Sequence, residues 1–190
     1  MENLNKKITL STRRGSGHPW IYRRMLAKGT DRIPNGASVD VFDRDGRFIG
    51  VGIYSDRSLI AVRLLGSSAG RLIDTEFLAE RFKFTRDLRE STLGILKTSN
   101  AYRLVNSEGD GLSGLILDRF NDSFVADIRA YGWWCRRNEI SVALQKVFGE
   151  GTKLSFTTAQ GIERTEGFTL EPYKDELVDF EEHGLRYRFR

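Results

Sequence analysis

Residues that build metal centres and disulfides are scarce in this chain: one cysteine, Cys135, and two histidines, His18 and His183, among 190 residues. A single cysteine excludes an internal disulfide and fits a reducing, cytoplasmic setting. Three such residues so far apart lack metal-ligand spacing, so no metal is expected. No apolar run approaches the roughly 20 residues that cross a bilayer, so no membrane partner is expected either. The opening stretch MENLNKKITLSTRRG has no hydrophobic segment of the secretory kind. A phosphate-cradling loop is also missing. FGEGTKL carries Gly149 and Gly151, but it runs from a helix into a strand. A nucleotide loop must run the other way, so that a helix N-terminus faces the phosphates. No cofactor site can be read from the residues.

Acidic residues are thin in the first third alone. Residues 1–70 carry twelve Lys and Arg against six Asp and Glu, whereas 71–130 and 131–190 each carry nine against ten. The net charge of +4 is thus a local surplus. A basic patch attracts polyanions by counterion release, and nucleic acid is the commonest such partner. The plainer explanation is a solvated surface. With 39% apolar and 29% charged residues, the chain has the composition of a folded protein, long enough for two small domains.

Residues 1–68 read as a small β-domain. KKITLS, ASVDVFD, RFIGVGIYS and SLIAVRLLG are strand candidates, with Asp45-Gly46 as a two-residue hairpin turn between the second and third. Gly50 and Gly52 suggest a bulge or barrel corner. HPWIYRRMLAKG reads as one or two helical turns, with Pro19 at the start and Gly29 at the stop. GSSAG, residues 66–70, is a natural boundary, and residues 72–190 read as a second, α+β domain. There a helix begins near Asp74, an N-cap, with Phe77, Leu78, Phe82, Thr85 and Leu88 on one face. Glu80, Lys83, Asp87 and Glu90 form its solvent face. AYRLVNSE, SGLILDRF and SFVADIRA are strands, WWCRRNEISVALQKVFG is helical, and TKLSFTT, DELVDFEE and GLRYRFR are strands again.

Asn106, Glu108 and Asp110 look like the start of a calcium loop. Its twelfth position, however, is Leu117 instead of glutamate, and both flanks read as strands. A glycine-rich strand-to-strand turn is the better reading. Cys135, beside Arg136 and Arg137, is better explained as a packing residue than as a nucleophile. That leaves STRRGSGHPWIYRRM, which sets Arg13, Arg14, Arg23 and Arg24 around His18, Trp20 and Tyr22. Arginines hold phosphates and exposed aromatic faces stack on unpaired bases. RNA contact is expected here, and Lys6 and Lys7 extend the patch.

RRGSGHPWIYRRML, GRFIGVGIYSDRSLIAVRLL and YRLVNSEGDGLSGLILDRF together resemble the N-terminal half of a known family. These are the class I S-adenosylmethionine-dependent methyltransferases that form 5-methylcytosine in large-subunit (23S) ribosomal RNA. The family's H-P-W-[IV]-[FY] motif falls on His18 to Tyr22, its G-x-G-x-Y-x-x-x-S strand on Gly50 to Ser58, and its Y-R-[LV]-[VI]-[NH]-x-E-x-D-x-[LF]-[PS]-G-L motif on Tyr102 to Leu115. Ser113 stands where the family more often has proline. The resemblance implies an α+β chain in which a PUA-like β-barrel (1–68) precedes a middle domain of antiparallel strands with helices (72–190), with no Rossmann domain. It implies large-subunit rRNA as partner, and it leaves a homodimer open. No catalytic or cofactor-binding residue is expected in this chain. S-adenosylmethionine and the attacking cysteine belong to a domain beyond the hairpin begun by DELVDFEEHGLRYRFR, so Cys135 does not take that role. A stand-alone PUA-type RNA-binding adaptor is the alternative.

Overall fold

The computed structural model describes residues 5–13, 17–29, 32–171 and 177–189. Eleven strands lie in three sheets among the described residues. The first sheet has the order β1-β3-β4-β5-β2, with β1 Lys6–Thr9, β2 Trp20–Tyr22, β3 Ser38–Phe42, β4 Phe48–Tyr54 and β5 Ile60–Gly66. Its edges meet. Leu10 bridges Leu26 just after β2, Ser11 N donates to Met25 O (2.8 Å) and Ala27 N to Thr9 O (2.9 Å). The sheet therefore closes on itself through the segments that follow β1 and β2. Ile8, Ile21, Val39, Val41 and Val62 fill its interior.

In β4 and β5 the apolar residues run on without alternation, and the reason is a second buried face. Val51, Ile53 and Leu65 leave the closed sheet and join the core of the second half. A strand covered on both sides reads as a continuous hydrophobic run. Gly52 lies where a Cβ would come 2.3 Å from Arg63 O, beside a shift in β4–β5 register, so the expected bulge is present.

The second half has a four-stranded sheet in the order β6-β7-β8-β9. β6 Ala101–Asn106, β7 Leu115–Phe120 and β8 Ser123–Ile128 form an antiparallel meander. β9 Lys153–Thr157 pairs parallel to β8. Helix α1, Thr75–Asp87, is capped by the Asp74 carboxylate, which accepts from Phe77 N (2.9 Å). It packs on α3, Arg137–Phe148, and both cover the sheet through Leu78, Phe82, Ile140 and Leu144. Two short helices, α2 (Tyr131–Cys135) and α4 (Ile162–Glu166), complete this part. A hairpin, β10 Val178–Glu182 and β11 Leu185–Phe189, docks on β6 with Phe180 against Phe120 (5.7 Å). No helix among the described residues is long and apolar enough to cross a membrane.

Several expectations need correction. HPWIYRRMLAKG is helical only in part: Trp20–Tyr22 is a strand paired with β5, and the one helical turn is the 3-10 turn at Arg23–Met25. Trp, Ile and Tyr favour an extended, half-buried position, and that preference outweighed the Pro19 and Gly29 punctuation. At Asp45-Gly46 only Gly46 has positive φ. The turn is wider because the Asp43 carboxylate accepts from Asp45 N and Arg47 N (both 2.9 Å). The strands of the second half are not all antiparallel, since β9 pairs parallel to β8. Leu88 is partly exposed, at the start of a wide turn in which Leu93 N reaches Leu88 O. Glu90 is no solvent-facing residue: Tyr102 Oη donates to it and Arg119 pairs with it (both 2.5 Å).

Candidate nucleic-acid interface

The alternation of β2 sorts the HPWIY motif. Ile21 points inward and is fully buried, so Trp20 and Tyr22 stand on the outer face. His18 meets the Trp20 ring edge-on (4.8 Å), and Tyr22 also stands edge-on to it (6.4 Å). The Arg24 guanidinium lies 5.9 Å from the Tyr22 ring. His18, Trp20, Tyr22 and Arg24 thus form one row on the outside of β2, exposed except for the half-buried Trp20.

The other predicted residues are dispersed. Arg13 pairs with Asp45 of the β3–β4 turn (2.5 Å) and stays largely exposed. Lys6 and Lys7 are exposed on β1, where the Lys7 ammonium sits 4.4 Å over Phe42. Arg23 is committed to structure: its guanidinium donates to Ser55 O (2.6 Å) and Ser58 O (2.9 and 3.1 Å), which holds the β4–β5 loop. Arg14 lies outside the described residues.

Trp20 explains the carboxylates at 106–111. That segment is a tight 3-10 turn between β6 and β7, at Ser107–Asp110. Glu108 Oε1 accepts from Trp20 Nε1 (2.8 Å) and Ser113 Oγ (2.7 Å), and Trp20 Nε1 also reaches Ser113 Oγ (3.1 Å). Arg63, buried in β5, lies 3.8 Å from the same oxygen and 5.7 Å from the Trp20 ring. Burial pushes the Glu108 pKa up. Hydrogen bonds from Ser107, Ser113, Trp20 and its own backbone outweigh that and hold it at about 2. Asp110 turns elsewhere, to Arg89 (2.6 Å) and Asn106 N (2.5 Å). The two carboxylates therefore serve different partners. The turn docks the indole of the first sheet onto the second half, and the hydroxyl of Ser113 takes part.

A buried arginine joins the halves elsewhere. Arg136 donates to Gly36 O (2.7 Å), Gly132 O (2.8 Å), Ile73 O (2.9 Å) and Ser38 Oγ (2.9 Å). Sequence reasoning missed this residue and the Arg63–Glu108 contact. The readable signal was an arginine inside the apolar run IAVRLL, which needs acceptors when buried. The neighbouring Cys135 is exposed, with its thiol packed near Gly36 and Tyr131.

Residues 9–67, the closed sheet with its aromatic row, match the PUA-like domain family. Over 89% of its length the chain is homologous to proteins named Ribosomal RNA large subunit methyltransferase I. It is 31% identical to that of Tolumonas auensis over 175 residues and 28% identical to that of Escherichia coli strain SMS-3-5 over 174. The chain spans 44% of the length of each of these relatives. Among solved structures, the SMU.776 protein, classed as a methyltransferase and crystallised with SAH, superposes with a TM-score of 0.69 at 16% identity. That alignment covers 97% of this chain and 47% of the other. A Streptococcus mutans protein classed as a SAM-dependent methyltransferase gives 0.68 at 17% identity, over 96% and 48%. These last two likenesses establish the shared fold.

Proposed function

We propose that the chain is the RNA-recognition portion of an S-adenosylmethionine-dependent rRNA methyltransferase acting on cytosine C5, and that it presents large-subunit rRNA to a separate catalytic domain. The observation that carries this reading is the outward row His18–Trp20–Tyr22–Arg24 on a PUA-like sheet, in a chain homologous to large-subunit rRNA methyltransferases. Arg24 and Arg13 hold phosphates and Tyr22 offers a face to a base. Trp20 positions this row: its indole N–H is spent on Glu108 and Ser113, and the row is thereby fixed relative to the second half. Arg23 orients the neighbouring loop.

Catalysis would rest with residues other than those described, as the resemblance of His18–Tyr22, Gly50–Ser58 and Tyr102–Leu115 to the N-terminal, RNA-recognition half of the family implies.

The test is binding of the chain to a large-subunit rRNA transcript across a salt series. Affinity should fall by roughly tenfold between 50 and 200 mM salt if Arg13 and Arg24 hold two phosphates, and by roughly a thousandfold if about six are contacted. Arg13→Glu with Arg24→Glu should weaken binding and flatten that slope. An unchanged affinity would remove these residues from the interface.

A further inference from the structure

The connection from β5 into α1 leaves a groove on the side of α1 that faces the closed sheet. Phe77, Glu80, Arg81 and Phe84 stand at helical spacing i, i+3, i+4 and i+7, one stripe of the helix. Opposite them run Gly66, Ser67 and Ser68, small residues that keep the groove open. At its floor the Phe77 ring is buried between two guanidinium groups, Arg81 at 5.4 Å and Arg71 at 5.9 Å. Arg81 Nη2 donates to Leu65 O (3.2 Å), and Arg71 Nη2 lies 2.9 Å from the exposed Glu80 carboxylate. At the rim Phe84 is 64% exposed, far more than a phenylalanine needs for the core below it.

We propose that this groove is a binding subsite for single-stranded RNA: Phe84 stacks on one unpaired base, and Arg71 and Arg81 hold the adjoining phosphates. The inference rests on the RNA-binding reading above but concerns a separate surface. An aromatic platform beside guanidinium groups is the combination with which proteins take unpaired strands without reading their sequence. Two cations against one carboxylate leave the groove positive. Apart from Val51 and the Phe77 and Phe84 rings its lining is glycine, serine and charged side chains, which suits a ribose-phosphate backbone better than the apolar face of a protein partner. Both arginines are pre-set by the Phe77 ring, so little side-chain freedom is lost on binding.

The experiment uses the whole chain and a fluorescein-labelled, unstructured 12-nucleotide RNA, with affinity measured by anisotropy at several salt concentrations. Phe84→Ala should weaken binding about tenfold, within the range that loss of one base stack gives, and leave the slope of log K against log salt unchanged. Phe84→Trp should retain binding. Arg71→Gln and Arg81→Gln should each reduce the slope by about 0.7, one phosphate contact on a single strand. Thermal melts of each variant show whether it is folded. If the unaltered chain binds the RNA and Phe84→Ala binds within twofold of it, the subsite is wrong while the RNA reading stands. If the unaltered chain binds no RNA, both fall. Unchanged RNA affinity in Phe84→Ala, with lost association to a purified methyltransferase domain, would assign the groove to protein instead.

Discussion

Arg136 holds the two halves of the molecule together, and its removal is the sharpest test of how the fold is built. Its guanidinium makes four hydrogen bonds of 2.7–2.9 Å, two of them to Ser38 of β3 and to Gly36 just before it, and two to Ile73 and Gly132. The side chain is almost wholly buried, and burial lowers its pKa. Each bond from a charged donor contributes about 1.5–3 kcal/mol, but the four share one desolvation cost, and water can enter a truncated site. Arg136→Ala should therefore destabilise the fold by about 3–5 kcal/mol, well below the simple sum. In a chain of this size that lowers Tm by about 6–20 °C. Arg136→Lys keeps the charge but cannot span four acceptors with one ammonium, so it should recover only part of the loss. Arg103→Ala is the control: it breaks a half-exposed pair with Asp118 and should cost about 1 kcal/mol or less. Chemical denaturation followed by tryptophan fluorescence reads all three. If Arg136→Ala costs no more than the control, buried arginine is not what couples the halves.

Glu108 gives a pH prediction. Its pKa in the folded chain, about 2, lies below the ordinary 4.5, so its contribution is present above pH 4.5 and is lost as pH falls through 2. Glu108→Gln should remove that acid dependence, which is measured as the difference in stability between pH 5 and pH 2.5. Ser113→Ala keeps the backbone but deletes a hydroxyl bonded to Glu108 and Trp20; with both partners left short, it should cost about 1–2 kcal/mol by urea titration. Gly52→Ala puts a methyl group against the Arg63 carbonyl and should cost about 3 kcal/mol, seen as a lower Tm. Tyr102, whose pKa is raised to about 12 by burial and by its bond to Glu90, should be only about one tenth ionised at pH 11 while the fold persists, so Tyr102→Phe should barely change the phenolate absorbance of the folded chain.

The strands were legible where packing has a simple period. SVDVF alternates, and it became β3 with Val39 and Val41 inside. Asp74 announced the start of α1 because its carboxylate and the Phe77 amide are only three residues apart. Local signals failed where distant partners decide the outcome. The Pro19-to-Gly29 segment carries good helix punctuation, yet pairing with β5 supplies hydrogen bonds that no local reading can anticipate. The same holds for the aromatic row. His18, Trp20 and Tyr22 were recognisable as a set, but Trp20 finds Glu108 88 residues later, and nothing in either segment names the other. Arg23 and Arg24 are identical neighbours in the sequence. The chain turn sends one to backbone carbonyls and the other onto Tyr22 at the surface.

The central claim is that RNA is received on the outer face of β2. The most direct test is ultraviolet crosslinking of the chain to a large-subunit rRNA transcript, followed by digestion and mass spectrometry of the RNA-linked peptides. The account predicts adducts on the peptides holding His18 to Arg24, with Tyr22 the main aromatic site. They should be lost when Arg13 and Arg24 are both changed to Glu. Crosslinks confined to the opposite end of the molecule, such as β9 or α3, would contradict it.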